Sequence, residues 1–181
     1  MPNGGASALL PFSSAVFGSC CTYVVDVCEG GECLVNDSGG LTRWGISKRA
    51  HPDVDVLTLS REGAYRIYEE RYWRPIQAEK LPRGLDLLVF DAAVNMGPIT
   101  AVRFLQKVLK LTDDGIMGQR TLAAVRTFRP QCELRALYNE ARMRSYFDLV
   151  RSKPIYQQYL YGWSCRLFRV ADEAGRVGSP A

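Results

Sequence analysis

Two carboxylic acids near residue 30 have the types and spacing that glycosidic cleavage requires. Glu29 follows an apolar helical stretch, so we expect its carboxyl to pack against low-dielectric surroundings, which favour the protonated form that a general acid needs. Asp37 lies in the polar, glycine-rich segment that follows. One carboxyl can then donate a proton to the leaving oxygen while the other orients water or stabilises positive charge. The spacing alone also fits, and more commonly so, a helix cap followed by a turn residue.

The sequence before and after Glu29 predicts a buried helix that meets a loop. Apolar residues recur at intervals of three and four from residue 17 to 28, which is the pattern of a helix with one face in the core. Gly30 and Gly31 end that helix, and residues 36–40 predict a polar loop or short hairpin. A carboxylate is therefore expected where a buried helix changes into a glycine-rich segment.

Apolar periodicity and capping signals predict helices through most of the remaining chain. One expected helix begins after a Ser60 cap and ends at Pro75, and another is capped by Thr100. The remaining expected helices are Leu85 to Met96, Thr121 to Phe128 with Thr121 as N-cap, Glu133 to Val150 and Tyr156 to Ala171. Strand signals are few, so the predicted fold class is mainly α.

Size and charge limit the possible classes of protein. The chain has 181 residues, 47% of them apolar and 23% charged, which is ordinary for one compact domain. The net charge of +4 favours an anionic partner such as a wall polymer, a nucleic acid or a membrane surface, without choosing among them. Because basic residues are spread among acidic ones, we expect a solvated helix surface and no nucleic-acid partner. A basic helical nucleic-acid binder is the alternative that the net charge leaves open.

The N-terminal segment is apolar without fitting a membrane signal. Residues 6–25 lack charge, but no basic region precedes them and Pro11 interrupts them. We expect a flexible tail over residues 1–11 and no stable membrane insertion, with a weak, releasable anchor as the alternative.

Six cysteines raise the question of metal binding or disulfides. They are Cys20, Cys21, Cys28, Cys33, Cys132 and Cys165. Neither zinc-ligand spacing nor a CxxC pair occurs, so no metal site is predicted. Buried free thiols are the expected state, and a disulfide near Glu29 is the alternative.

Four blocks in order carry a family resemblance. They are EGG at 29–31 with VND at 35–37 and GGLTRWGI at 39–46; YEERYWRP at 68–75; FDAAVNMG at 90–97 with LQ at 105–106 and DGIMGQRT at 114–121; and AR at 141–142, Tyr146, GW at 162–163 and Arg166. Together they extend over about residues 12–170, and the chain resembles glycoside hydrolase family 108 with its accompanying predicted peptidoglycan-binding region.

The resemblance implies a lysozyme-like helical fold with a small loop or hairpin lobe at the active site. It implies one domain over residues 12–171, with a catalytic lobe at 12–80, a peptidoglycan-binding-type helical region at 85–171, and tails at 1–11 and 172–181. The implied activity is that of a cofactor-free N-acetylmuramidase (lysozyme, EC 3.2.1.17), which cleaves the β-1,4 bond between N-acetylmuramic acid and N-acetylglucosamine. Members are typically phage endolysins or secretion-associated bacterial muramidases. We therefore expect a monomer that binds glycan strands, waits in the bacterial or phage-infected cytoplasm, and reaches the wall through a holin or dedicated export.

The resemblance also assigns site residues. The EGG glutamate, Glu29, is the implied catalytic acid, and Asp37 or Thr42 would position the attacking water. The implied substrate-binding residues are Gly30 and Gly31, which let a sugar approach the backbone, together with Trp44, Tyr72 and Asn95. For the aromatic residues core packing is the alternative; it is equally expected for Trp44 and favoured for Trp73 and Trp163.

The chain also departs from the family pattern. Glu32 follows EGG where the family usually has an aromatic residue, and the segment before the next glycines is about one residue short. Glu32 is therefore a rival to Glu29 as the catalytic carboxylate.

Two alternative functions stay open: a lytic transglycosylase acting on the same bond and a non-catalytic wall-binding component. For the Glu29 and Asp37 carboxyls, a separation of about 6.5–9.5 Å would favour inversion and about 5–5.5 Å retention.

Overall fold

The computed structural model describes residues 14–37 and 40–178. The tail expected at residues 1–11 lies outside the described residues. The chain divides into two compact units, Met1–Arg66 and Ile67–Ala181. Helices form most of the second unit, and the first unit combines helices with the one small sheet of the described residues, which confirms the mainly α class with a hairpin.

The first unit is built from a helix and a three-stranded antiparallel sheet. Helix α1, Ala15–Thr22, begins at Ser14, whose hydroxyl accepts the Phe17 N–H at 3.1 Å. It continues into a π-helical segment, Tyr23–Cys28. Strands β1 (Val35–Asp37), β2 (Gly40–Arg43) and β3 (Ile46–Ser47) follow, in the order β1-β2-β3. The unit ends within helix α2, Arg61–Tyr68.

The second unit packs its helices around a buried central helix. After a π-helical segment at Glu69–Trp73 and a 3₁₀ turn at Ala78–Lys80 comes α3, Leu85–Met96, in which every residue from Leu85 to Ala93 is buried. A helix that is buried on all sides lies in the core rather than on the surface. The helices that contact α3 are α4 (Pro98–Val108), α6 (Gln131–Ser152) and α7 (Gln157–Val177); α5 spans Gln119–Thr127, and a 3₁₀ turn at Pro154–Tyr156 precedes α7.

Several predicted boundaries are confirmed. Helix α3 has the predicted ends, and the first helix ends at Glu29 as expected. The Ser60 hydroxyl accepts the Gly63 N–H at 3.1 Å, so Ser60 caps α2. Capping and glycine signals are local in sequence, which is why they predict these ends correctly.

Three predictions at helix ends are wrong. Thr100 does not cap α4, because the helix begins at Pro98, whose fixed φ suits a first helical position. Thr121 does not cap α5, because Gly118 holds the N-cap position and Thr121 is buried inside the helix. The predicted tail after Asp172 is helical to Val177.

The cysteines are thiols, but not all of them are buried. All six lie within the described residues and form no disulfide there; Cys20 and Cys21 are buried, whereas Cys33 and Cys132 are exposed. The prediction of free thiols is thus confirmed, whereas the predicted burial is wrong for Cys33 and Cys132.

In residues 14–37 and 40–178, no helix is both long and apolar enough to cross a membrane.

Candidate active site

Glu29 terminates the first helix at the end of a π-helical turn. Its N–H donates to the Val24 carbonyl at 2.9 Å, five residues back, which is the π-helical pattern. The wider turn changes the helical face, so Val27 is 47% exposed instead of buried as its spacing predicted. Glu29 itself is half-buried. Short π segments within helices frequently occur at functional sites.

The two glycines after Glu29 reverse the chain direction. Gly30 and Gly31 have φ of +81° and +66°, values that side chains with a Cβ rarely adopt. The Gly31 N–H returns to the Val25 carbonyl at 2.9 Å and closes the helix end. Within the described residues no heavy atom lies within 4 Å of a Cβ placed at either glycine. The backbone next to Glu29 is therefore open to an approaching ligand.

Asp37 and Thr42 lie on the hairpin that follows. The register pairs Asp37 with Gly40 and Thr42 with Val35, so the two candidates occupy adjacent strands. Thr42 is half-buried, and its hydroxyl donates to the Gly40 carbonyl at 3.4 Å, a long and therefore weak hydrogen bond. The hydroxyl of Thr42 can thus exchange this contact for a water molecule at low cost.

Trp44 forms the turn between the second and third strands. Trp44 and Gly45 have φ of 55° and 73°, and both central residues of a two-residue type I′ hairpin turn need positive φ. The side chain is only 9% exposed, and the guanidinium carbon of Arg61 lies 5.9 Å from its ring centroid. Little of the ring surface is accessible, and sugar stacking at Trp44 stays a prediction.

Arg61 connects the elements around Glu29. It forms an ion pair with Asp26 at 2.5 Å, three residues before Glu29, and its Nε donates to the Tyr65 hydroxyl at 3.1 Å. Its guanidinium also lies over the rings of Trp44 and Tyr65. One side chain therefore joins the π-helical turn, the hairpin turn and α2. The sequence pattern did not single out Arg61, because its partners are up to 35 positions away.

The rival carboxylate Glu32 belongs to a surface contact. Its side chain is 58% exposed, and Oε1 pairs with Arg43 Nη2 at 2.6 Å. Arg43 Nη1 also donates to the Leu57 carbonyl at 2.7 Å. Glu32 thus helps to hold β2 and the loop near Leu57, whereas Glu29 lies half-buried at the helix end.

Tyr72 and Trp73 lie in the second unit. Tyr72 is half-buried, with its ring centroid 5.7 Å from that of Tyr68. Trp73 is buried, meets Phe90 edge-on at 5.2 Å, and donates from Nε1 to Glu79 at 3.1 Å. The core packing favoured for Trp73 is confirmed, and a sugar contact at Tyr72 stays a prediction.

Three motif residues converge on one buried ion cluster in the second unit. Asp91 on α3 contacts Arg142 of α6 at 2.6 Å and Arg166 of α7 at 2.7 Å. Asp91 and Arg142 are completely buried. Burial alone would raise the pKa of Asp91, but the two guanidinium groups hold it below its usual range. The FDxxVNxG, AR and GWxxR elements thus meet at a single structural contact, which their separate patterns did not reveal.

Asn95 lies one helical turn after that cluster. Its Oδ1 accepts a hydrogen bond from the Tyr146 hydroxyl at 2.8 Å. Burial raises the pKa of Tyr146, so the phenol keeps its proton for this bond. Asn95 and Tyr146 border a cavity of about 250 Å³.

The DGxxGxxT element folds around a buried glutamine. The Gln106 amide nitrogen donates to Asp114 Oδ1 at 2.7 Å and to Thr121 Oγ1 at 3.3 Å, while its oxygen accepts the Gly115 N–H at 2.9 Å. Hydrogen bonds from the Ile116 N–H and from Gln106 lower the pKa of Asp114. This network explains why the LQ and DGxxGxxT elements occur together, and it gives Thr121 a partner instead of a capping role.

Metal-ligating side chains do not cluster in the part of the chain that the structure describes: no three His, Cys, Asp or Glu side chains there could hold a metal ion.

Comparisons with known proteins find two matching families and a similar solved structure. Residues 24–97 match the family described as Glycosyl hydrolase 108, and residues 100–168 match the Predicted Peptidoglycan domain. The solved structure of Brucella abortus SagA is similar to the chain, with a TM-score of 0.77 and 27% identity, over 91% of this chain and 98% of that one. No curated protein matches the sequence. The helix end at Glu29 and the hairpin fall within the first match.

Proposed function

We propose that this chain, of which residues 24–97 match the glycosyl hydrolase 108 family and residues 100–168 the Predicted Peptidoglycan domain, is a peptidoglycan hydrolase. It cleaves the β-1,4 bond between N-acetylmuramic acid and N-acetylglucosamine, with Glu29 as general acid. The observation that carries the proposal is the position of Glu29: a half-buried carboxyl at a π-helical end, beside two left-handed glycines that leave the backbone open. A wall enzyme must bring a long glycan strand close to its acid, and this geometry leaves room for that approach.

The proposed reaction needs one proton donor and one water molecule. Glu29 donates its proton to the bridging O4 as the bond from that oxygen to C1 of the muramic acid breaks. A water oxygen forms the new bond to C1, and a proton of that water is taken up by the Asp37 carboxylate or, if Thr42 orients the water, by the Glu29 carboxylate that proton donation has left. Asp37 or Thr42, on adjacent strands of the hairpin, would orient the water. The products are a reducing muramic end and a free 4-hydroxyl on the glucosamine.

The contacts of Arg61 and Glu32 are consistent with Glu29 as the acid and the hairpin as the element that orients water. Arg61 holds the π-helical turn against the hairpin turn and so fixes where the acid lies relative to the hairpin. Glu32 is paired with Arg43 at the surface, which favours Glu29 as the acid.

Product analysis tests the bond and the chemistry. Purified peptidoglycan is digested, and the fragments are analysed by mass spectrometry and by NMR of the anomeric proton soon after cleavage. The proposal predicts reducing N-acetylmuramic acid ends. Anhydro-muramic ends would instead show a lytic transglycosylase, and a protein that binds the wall without releasing fragments would be a non-catalytic component.

Two conservative substitutions identify the residue that orients water. Asp37→Asn removes a charge, and Thr42→Val removes a hydroxyl at similar volume. We expect the variant that lacks the water-orienting group to lose about 100- to 10,000-fold in kcat, the range that general acid–base groups contribute, and the other to lose much less. Full activity in both would remove the hairpin from the mechanism.

A further inference from the structure

The cavity beside Asn95 in the second unit is lined by both polar and apolar side chains. Asn95 and Thr100 supply polar groups, and Met96, Leu149 and Trp163 supply apolar wall. Its volume of about 250 Å³ is just below the range of ordinary ligand pockets, about 300–1,000 Å³, and so suits one substituent or one sugar ring rather than a chain.

Tyr146 fixes the orientation of the Asn95 amide. The Tyr146 hydroxyl lies 2.8 Å from Asn95 Oδ1, and the guanidinium carbon of Arg142 lies 6.0 Å from the Tyr146 ring centroid. Arg142 acts on the Tyr146 hydroxyl as a positive charge and as a hydrogen-bond donor. Because an arginine cannot accept a hydrogen bond, the phenol proton points to Asn95 instead. The amide oxygen is thereby occupied, and the two Nδ2 hydrogens are left for a ligand.

The charge behind the cavity selects the kind of ligand. The cluster of Asp91 with Arg142 and Arg166 contains one carboxylate and two guanidinium groups, so it carries one excess positive charge in a buried place. An oxygen acceptor in the cavity is favoured by that charge, and an ammonium group is disfavoured. The ligand group should therefore carry a carbonyl oxygen and no positive charge.

The apolar wall requires a small apolar group next to that carbonyl. The orientation of the Trp163 ring is fixed by stacked contacts with Tyr146 at 5.2 Å and 28° and with Tyr159 at 5.8 Å and 26°. The part of this half-buried ring that lines the cavity is a rigid apolar surface for a methyl group. A carbonyl oxygen with an adjacent methyl group describes an acetamido substituent.

We propose that this cavity binds the acetamido group of an N-acetylhexosamine in the glycan, with the Asn95 amide donating to the acetyl oxygen and the methyl group packing on Trp163. The inference rests on the proposed function, because it assigns the cavity to the same substrate. It adds a specificity element: the second unit recognises N-acetylated sugars and not the bare β-1,4 backbone.

Two neutral tetrasaccharides test it. Chitotetraose carries an acetamido group on each ring, while cellotetraose has the same β-1,4 backbone with a hydroxyl in its place. Binding is measured by calorimetry and by the indole N–H resonance of Trp163, assigned with Trp163→Phe, in a Glu29→Gln background that prevents turnover. We expect chitotetraose to bind and to shift that resonance, and cellotetraose to bind on the order of tenfold more weakly.

Three variants locate the effect. Asn95→Asp replaces the donor with a carboxylate, and Tyr146→Phe removes the group that orients the amide; each should reduce the preference for chitotetraose by about two- to tenfold. Gln158→Glu, the same amide-to-carboxylate change at an exposed position of α7, should leave it unchanged. Circular dichroism confirms that each variant is folded, and Tyr146→Phe keeps the test valid if Asn95→Asp is not.

The outcomes separate this proposal from the proposed function. Equal binding of the two sugars, no binding of either, or an unchanged preference in both Asn95→Asp and Tyr146→Phe would overturn the acetamido site. Hydrolysis of peptidoglycan by the wild type is measured separately. Cleavage without acetamido preference refutes only the inference, whereas acetamido preference without cleavage refutes only the proposed function.

Discussion

Replacing either glycine after Glu29 with alanine should destabilise the protein through the backbone alone. At both Gly30 and Gly31 the added Cβ meets no described heavy atom within 4 Å, so steric contact contributes nothing. The positive φ angles remain, and an L-residue in that region costs about 1–2 kcal/mol. In a chain of this size each kcal/mol lowers Tm by about 2–4 °C, so the expected fall is about 2–8 °C for each variant.

Gly175→Ala is the matched control. Gly175 lies within α7 and an added Cβ there also meets no described heavy atom within 4 Å, but its φ is not positive. Alanine in a helix is favoured over glycine by about 0.5–1 kcal/mol, so Tm should rise by about 1–4 °C. Differential scanning calorimetry measures all three variants at one pH. If Gly30→Ala and Gly31→Ala behave like Gly175→Ala, the account of the helix end is wrong.

Three further expectations concern charged groups. Asp91→Asn leaves two buried or nearly buried guanidinium groups without their counter-charge and should cost about 3–5 kcal/mol in urea unfolding, against about 1 kcal/mol or less for the exposed Asp148→Asn. Because the folded-state pKa of Asp91 is lowered, its contribution to stability is present above the ordinary carboxyl pKa near 4 and is lost as the pH falls below that value through the lowered pKa. The acid-induced decrease in Tm should therefore be smaller in Asp91→Asn than in the wild type. Identical profiles of Tm against pH in the two proteins would contradict this. Arg61→Gln removes the Asp26 ion pair and the contact with the Trp44 ring, so we expect a loss of about 1–2 kcal/mol with reduced wall lysis; unchanged lysis would exclude a positioning role.

Local signals in the sequence predicted the elements whose ends are determined locally. The ends of α3 follow from Gly84, Gly97 and Pro98, and the helix end at Glu29 follows from the glycines after it. The hairpin was expected from its polar, glycine-rich residues, because such residues accept the backbone angles of turns. The EGG pattern likewise identified the candidate acid, because the glutamate and its two glycines are adjacent in the chain.

Long-range contacts account for what the sequence did not predict. A threonine before an apolar run suggests a cap, but Thr121 bonds to Gln106, which is 15 positions away, and the local pattern contains no trace of that partner. Asp91 and its two arginines stand in three separate motifs, and only the packing of α3, α6 and α7 shows that they form one cluster. The π-helical turn before Glu29 was missed because spacing of three and four describes only the α-helical period.

The rates of two amide variants decide whether Glu29 is the proton donor. Turbidity loss of purified peptidoglycan is followed for the wild type, Glu29→Gln and Glu32→Gln, with Tm measured for each to confirm folding. We expect Glu29→Gln to lower the rate of turbidity loss by about 100- to 10,000-fold. Glu32→Gln breaks only the surface pair with Arg43, so its rate should stay within a few-fold of the wild type. Full activity in Glu29→Gln, or a large loss confined to Glu32→Gln, would contradict it.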